Sequence, residues 1–234
     1  MEKSQSDFTR LYADGRLRMR AVAPTISSDM AAGSYVLTFD GSHEAQLHIP
    51  AGYDQGRPAP LLAIFHGVNS LDGGTIGMAT AWANRHGALV IAQKSTAATW
   101  DILRGAYGVD LAFTDFLLGW VMQRFAIAPL RIGIAGFSDG ATYALSVGLM
   151  NGDLFSDILA FSPGFMRPHH RIDKPRIYVA HGRNDKILPV DCGRRLSRQL
   201  TDEGYEVWYE EFDGGHVVPP HLAEAALNRF ASRP

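Results

Sequence analysis

Arg131-Ile132-Gly133-Ile134-Ala135 leads without a break into Gly136-Phe137-Ser138-Asp139-Gly140, and then into the apolar run Ala141 to Met150. The first five residues read as a short buried strand and the last ten as a helix. Between them stands G-x-S-x-G, with serine on a sharp turn from strand to helix. Such a turn holds the hydroxyl clear of the sheet, and the flanking glycines admit neighbouring backbone where a Cβ would collide. The helix that follows aims its N-terminus at the serine, which favours negative charge developing there. Glycine fills 24 of 234 positions, so two of them flank a given serine by chance about once in a hundred; the strand and helix on either side make the signal more specific.

The same alternation continues outward in both directions. Leu61 to Phe65, Ala88 to Ala92, Ile158 to Phe161, Arg176 to Ala180 and Glu206 to Phe212 are further strand candidates. Continuous apolar runs suit parallel strands covered on both faces. Helical patterns lie at 73–86, 107–126, 139–150, 191–204 and 219–232. Upstream, Tyr35 to Phe39 and His43 to Ile49 read as a hairpin turning at Asp40-Gly41, and Gly52 to Pro60 is a Gly/Pro-rich loop. The expected fold is α/β: a mostly parallel central sheet with helices on both faces and an antiparallel N-terminal edge hairpin. Residues 33–234 are expected to form one domain. Residues 1–32, polar and mixed, form an N-terminal arm with one short helix around Phe8 to Tyr12. Sequence offers no choice between a dimer arm and a pocket wall for that segment, and a homodimer stays open.

Composition narrows the classes. With 22 Lys+Arg against 24 Asp+Glu the net charge is -2, which gives no electrostatic reason to expect nucleic acid. The values of 46% hydrophobic and 20% charged are those of a globular chain. Cys192 is the one cysteine, which excludes an intrachain disulfide and a multi-cysteine zinc site. The apolar window 109–128 is interrupted by Asp110, Asp115 and Arg124, so no membrane span is expected. No secretory leader is visible, and the expected location is cytoplasmic.

A serine nucleophile needs a general base, and the base an orienting carboxylate. Asp185 follows the 176–180 strand and His216 follows the 206–212 strand, in Asp213-Gly214-Gly215-His216. The order Ser138, Asp185, His216, each beyond a different strand, is the one this strand–turn–helix arrangement uses. Asp191 and Asp157 are the fallback acids, although neither ends a strand, and His181 is a rival base that precedes the acid. The tetrahedral oxyanion needs donors. One is expected from the N–H of Asp139, the other from the N–H of Val68 in the exit loop Phe65-His66-Gly67-Val68. The Asp139 carboxylate is expected to turn away and favour the helix N-terminus.

Taken together, Phe65-His66-Gly67, Gly136 to Gly140, His181-Gly182 to Asp185 with Pro189, and Gly215-His216 resemble the α/β-hydrolase superfamily. Within it the chain looks like the small phospholipase/carboxylesterase (predicted esterase) group, near the dienelactone-hydrolase-like and polyhydroxybutyrate-depolymerase-like esterases. The likeness covers about residues 35–230 and is strongest from Gly136 to Phe165. It implies a Ser-His-Asp hydrolase of carboxylic esters that needs no cofactor and acts on a small-molecule ester. Thioester, lactone or polyester-oligomer substrates share the carbonyl chemistry, and a non-catalytic ligand-binding protein is the reading from another class. Two departures stand out. Val68-Asn69-Ser70-Leu71-Asp72 replaces the glycine-rich continuation of many relatives, and Ser138 stands where dienelactone hydrolases proper carry cysteine.

The segment between Pro163-Gly164 and Pro175 is too short for a cap domain, so an open site is expected, lined by Phe165, Met166, Leu188, Val217 and Trp100. His169-His170 lack a third metal ligand and read as a solvated loop. His43 and His48, five apart on a strand, face opposite sides. Cys192 reads as a bystander.

Overall fold

The computed structural model describes residues 10–20, 28–68 and 74–232. The elements run β1 (Gly33–Phe39), β2 (His43–Ile49), β3 (Ala59–Phe65), α1 (Gly74–His86), β4 (Leu89–Gln93), a 3-10 turn (Asp101–Arg104), α2 (Val109–Arg124), β5 (Ile127–Phe137), α3 (Asp139–Met150), β6 (Asp157–Phe161), β7 (Arg176–Gly182), α4 (Asp191–Asp202), β8 (Val207–Phe212) and α5 (Pro220–Ala231). One eight-stranded sheet has the order β1-β2-β4-β3-β5-β6-β7-β8. The β1–β2 and β2–β4 pairs are antiparallel and the rest parallel. This is the expected α/β-hydrolase fold with its antiparallel edge hairpin.

Side-chain alternation divides the strands between two cores. Leu61, Ala63, Phe65, Ile132, Ile134, Ile158 and Val179 face one side, where α2, α3 and α4 pack; Leu62, Val90, Leu159 and Tyr178 face the other, covered by α1 and α5. Both faces are therefore dry, which is why the parallel strands read as unbroken apolar runs. The parallel strands all end along one edge of the sheet, which gathers their C-terminal loops together.

Several element boundaries differ from the sequence expectation, β5 and α2 among them. Strand β5 begins at Ile127 rather than 131, because Ala59 pairs with Ile127 before a register shift restores regular pairing at Leu61 and Ile132. Helix α2 is shorter than 107–126. Its first N–H groups, from Gly108, Asp110 and Leu111, are gathered by the buried Asp101 carboxylate, and Phe125 turns extended at its end. Of the short helix expected around Phe8 to Tyr12, residues 10–12 form a helical turn; Phe8 lies outside the described residues, as does residue 73 of the helix expected from 73.

Residues 10–20 of the arm pack on their own chain. Tyr12 and Leu17 are buried in the core beside α2 and α3. Asp115 of α2 accepts from Tyr12 Oη (2.8 Å) and from the N–H groups of Arg18 and Met19 (2.8 and 2.7 Å). Asn151 at the end of α3 accepts from Leu17 N–H and donates to the Gly15 carbonyl. Ser138 caps the other end of α3, a 12-residue helix roughly 18 Å long. This part of the arm is therefore no wall of the site. No helix among the described residues is long and apolar enough to cross a membrane.

Candidate active site

Ser138 takes φ 56° and ψ -120°, a left-handed conformation that L residues adopt only under constraint. The constraint is visible on both sides. A Cβ on Gly136 would lie 2.1 Å from the Gly140 carbonyl oxygen, and one on Gly140 would lie 2.1 Å from the Phe65 carbonyl oxygen. Both glycines of the motif are thus demanded by backbone contact. The Ser138 N–H donates to the Phe161 carbonyl, tying the turn to β6. Asp139 opens α3, so its N–H lies beyond the reach of any intrahelical carbonyl and is available beside Ser138.

The structure brings Asp185 and His216 to this serine. His216 Nε2 is 2.9 Å from Ser138 Oγ and His216 Nδ1 is 2.6 Å from Asp185 Oδ2. Glycine again permits the approach: a Cβ on Gly182 would lie 2.3 Å from the Gly215 carbonyl oxygen. Asn184 N–H donates to the Gly214 carbonyl and Asn184 Nδ2 to Asp213, lacing the β7 and β8 loops together. The second Asp185 oxygen, Oδ1, accepts the N–H groups of Ile187 and Leu188, both at 2.9 Å. Burial would raise the Asp185 pKa, but the His216 bond and these two amides outweigh it, so the carboxyl stays below its usual range. The Phe137 ring lies against the His216 imidazole, with centroids 4.7 Å apart.

It is His216, and not the rival His181, that stands within hydrogen-bond distance of Ser138. His181 is fully buried, and its Nε2 donates to the Leu188 carbonyl at 2.8 Å while standing 3.4 Å from Asp185 Oδ2. It supports the turn that carries Asp185. The fallback acids are elsewhere: Asp157 pairs with Arg176 at the start of β6, and Asp191 with Arg194 at the start of α4.

On the other side of Ser138 runs the loop after β3. A Cβ on Gly67 would sit 3.4 Å from Ser138 Cβ, so this loop lies beside Ser138. Buried His66 holds this loop. Its Nε2 accepts the Ser95 N–H (3.0 Å), so Nδ1 carries the proton and donates to the Gly67 carbonyl at 2.5 Å. Burial lowers its pKa, against the opposing pull of the Gly67 carbonyl, and keeps the ring neutral. The Asp139 carboxylate accepts from Thr99 Oγ1 at 2.5 Å.

Residues 38–171, more than half of the chain, match the family described as "Putative esterase". The chain belongs to this esterase family. A curated relative, acyl-protein thioesterase 1 of Gibberella zeae, is 29% identical over 109 residues, which span 42% of this chain and 46% of the relative. The chain thus matches about half the length of that relative. Among solved structures, esterase PE8 superposes with TM-score 0.64 at 20% identity, covering 78% of this chain and 95% of that one. The CE1 ferulic acid esterase of Anaeromyces mucronatus gives 0.63 at 17% identity over 93% and 98%. S-formylglutathione hydrolase from Staphylococcus aureus gives 0.65 at 18% over 88% and 100%. At these identities the structures share the fold.

For this esterase-family chain the expected substrate-contacting residues divide. Val68, Val217 and Phe165 are exposed around the Ser138 edge. Leu188 is half-buried, packed near Gly164, and Met166 packs against the core. Trp100 is a correction: it is 0% exposed and cannot touch a substrate. Its indole stacks on Tyr143 at 4.7 Å and its Nε1 donates to the His66 carbonyl at 3.0 Å, so it buttresses the loop rather than walls a pocket. Residues 162–175, where a cap would be inserted, hold no helix or strand. Among the described residues no group of three or more His, Cys, Asp or Glu could hold a metal ion, and His169 packs edge-on against Tyr107.

Sequence reasoning missed Phe137, His66, Thr99 and the supporting role of His181. Phe137 had a signal, since it sits inside the motif; the others act through contacts between loops distant in the chain.

Proposed function

We propose that this chain is a serine hydrolase that cleaves carboxylic esters of small or short-chain substrates through Ser138, His216 and Asp185. The observation that carries the reading is the continuous hydrogen-bond line from Asp185 Oδ2 through His216 to Ser138 Oγ, at 2.6 and 2.9 Å. Ser138 Oγ attacks the acyl carbonyl while His216 Nε2 takes its proton. The N–H groups of Asp139 and Val68 receive the oxyanion. His216 then hands the proton to the departing alkoxide, leaving an acyl-serine. Water attacks that ester with His216 as base, and Ser138 recovers its proton. Asp185 holds the ring with Nδ1 protonated and stabilises the imidazolium as it forms.

A thioester substrate is the second reading, favoured by the curated relative named acyl-protein thioesterase 1. The test is labelling with a fluorophosphonate, located by mass spectrometry, beside p-nitrophenyl esters from acetate to dodecanoate and matched acyl thioesters. Label on Ser138, with turnover lost in Ser138→Ala, is the expected result. No label and no turnover of any ester or thioester would overturn it. A kcat/KM at least tenfold higher for thioesters would select the second reading.

A further inference from the structure

A cavity opens on the same edge of the sheet, apart from Ser138. Gly136, Phe65, Gln93, Ala45 and Leu37 form one row across β5, β3, β4, β2 and β1. Ser138 lies two residues past this row, and so do His43 and Phe39. Three strand spacings separate β5 from β2, so His43 is roughly 15 Å from Ser138 along the edge. Phe39, Val109, Ala112, Phe113 and Phe116 line a cavity of about 370 Å³ there, with His43 and Asp40 as its polar members. That volume falls within the range of small-molecule sites, and apolar walls with few polar groups are their usual make-up.

The hairpin turn brings the two polar members together. Asp40 (φ 45°) and Gly41 (φ 71°) turn the hairpin, with Ser42 N–H donating to the Phe39 carbonyl. The turn brings the Asp40 carboxylate to 3.1 Å from His43 Nδ1. A carboxylate only accepts, so Nδ1 carries the proton that faces Asp40, with Ser42 Oγ also 3.3 Å from Nδ1, and in the Nδ1–H tautomer Nε2 is the acceptor. No described residue partners Nε2. The His43 ring is braced against Phe113, with centroids 4.8 Å apart, and Phe39 stands edge-on to Phe116 at 5.1 Å. The cavity therefore offers aromatic walls, one hydrogen-bond acceptor and a carboxylate that repels anions. The reaction proposed above uses none of these groups.

We infer that this cavity is a separate binding site for a small uncharged aromatic molecule carrying a hydroxyl donor, a hydroxyarene, with the ring among the phenylalanines and the O–H on His43 Nε2.

The test measures binding of 2-naphthol, 2-methoxynaphthalene and 2-naphthoate by ligand-observed NMR to Ser138→Ala protein, so that turnover plays no part. Wild-type protein blocked at Ser138 by fluorophosphonate serves as a second sample where labelling succeeds. The expected order is 2-naphthol tighter than its methyl ether by roughly three- to tenfold, the value of one hydrogen bond, with naphthoate weakest. His43→Phe should erase the preference for naphthol over the ether. Phe116→Ala, at an exposed position, should weaken all three probes, and Ala112→Phe should fill the cavity and abolish binding. Ester turnover in the Ser138 background should stay within twofold in each variant. Saturable binding that none of these variants changes, binding lost on blocking Ser138, or no saturable binding would each overturn the inference. Absence of fluorophosphonate labelling would count against the esterase mechanism alone, because the probe measurement on Ser138→Ala stands without it.

Discussion

Asp185→Asn isolates the link between the acid and the base. Asp185 Oδ1 accepts two N–H groups, from Ile187 and Leu188. An asparagine must keep its one carbonyl oxygen at that place, because its NH2 there would set donors against donors. The NH2 then occupies the Oδ2 position, 2.6 Å from His216 Nδ1. Nδ1 has to accept, and the ring proton moves to Nε2, facing Ser138 Oγ. A nitrogen that already holds a proton cannot take another from the serine. The same tautomer trap in a Ser-His-Asp protease lowers kcat about 10⁴-fold, or about 5.5 kcal/mol at about 1.4 kcal/mol per decade. Folding should survive, because both amide bonds are kept. The loss is the charge-assisted bond to His216, about 1.5–3 kcal/mol, which for a chain of this size lowers Tm by less than about 12 °C. Steady-state hydrolysis of p-nitrophenyl butyrate and the second-order rate of fluorophosphonate labelling, both on protein shown folded by circular dichroism, measure the effect. Activity within tenfold of wild type would refute the orientation argument.

Gly140→Ala places a methyl 2.1 Å from the Phe65 carbonyl oxygen, where backbone must move; it should cost about 3 kcal/mol or more in urea unfolding and displace the elbow, with labelling of Ser138 slowed in parallel. Trp100→Phe strips the His66 carbonyl of its indole donor and should destabilise by about 1–3 kcal/mol, with a several-fold fall in kcat as the loop beside Ser138 loosens. Glu211 is clamped by Arg194 at 2.6 and 2.8 Å, and this pairing, with lesser help from Tyr209, lowers its carboxyl to about 2. A depressed carboxylate stabilises above its ordinary pKa and loses that contribution as pH falls through the folded value. Glu211→Gln should therefore cost about 1 kcal/mol at pH 7, discounted for the exposed Arg194, and almost nothing near pH 2; denaturant midpoints at both pH values test it.

Ser138, Asp185 and His216 were legible because each stands just past a strand end beside glycines, and such positions are local. The motif glycines state their own requirement: a backbone crossing that no Cβ could survive. The β-strands were legible as well, since a sheet covered on both faces leaves unbroken apolar runs. Strand ends were less so. The start of β5 depends on a register shift against Ala59, far away in the chain.

Polar residues that serve loops were hidden. Nothing near Trp100 in the chain says that its indole reaches the His66 carbonyl, and a lone aromatic after a strand reads equally well as a pocket wall. His181 looks like a base until burial and the Leu188 carbonyl claim it. Asp115 reads only as an interruption of an apolar segment; in the fold it anchors Tyr12 and the backbone of residues 18 and 19. Apolar periodicity and turn chemistry are properties of neighbouring residues, so the order of residues alone carries the layers, the elbow and the three candidate catalytic side chains. Hydrogen bonds between loops are satisfied by whichever partner the packed sheet brings within about 3 Å, so the buttressing of Ser138, the docking of the N-terminal segment and the cavity at His43 exist only once the strands have taken their places.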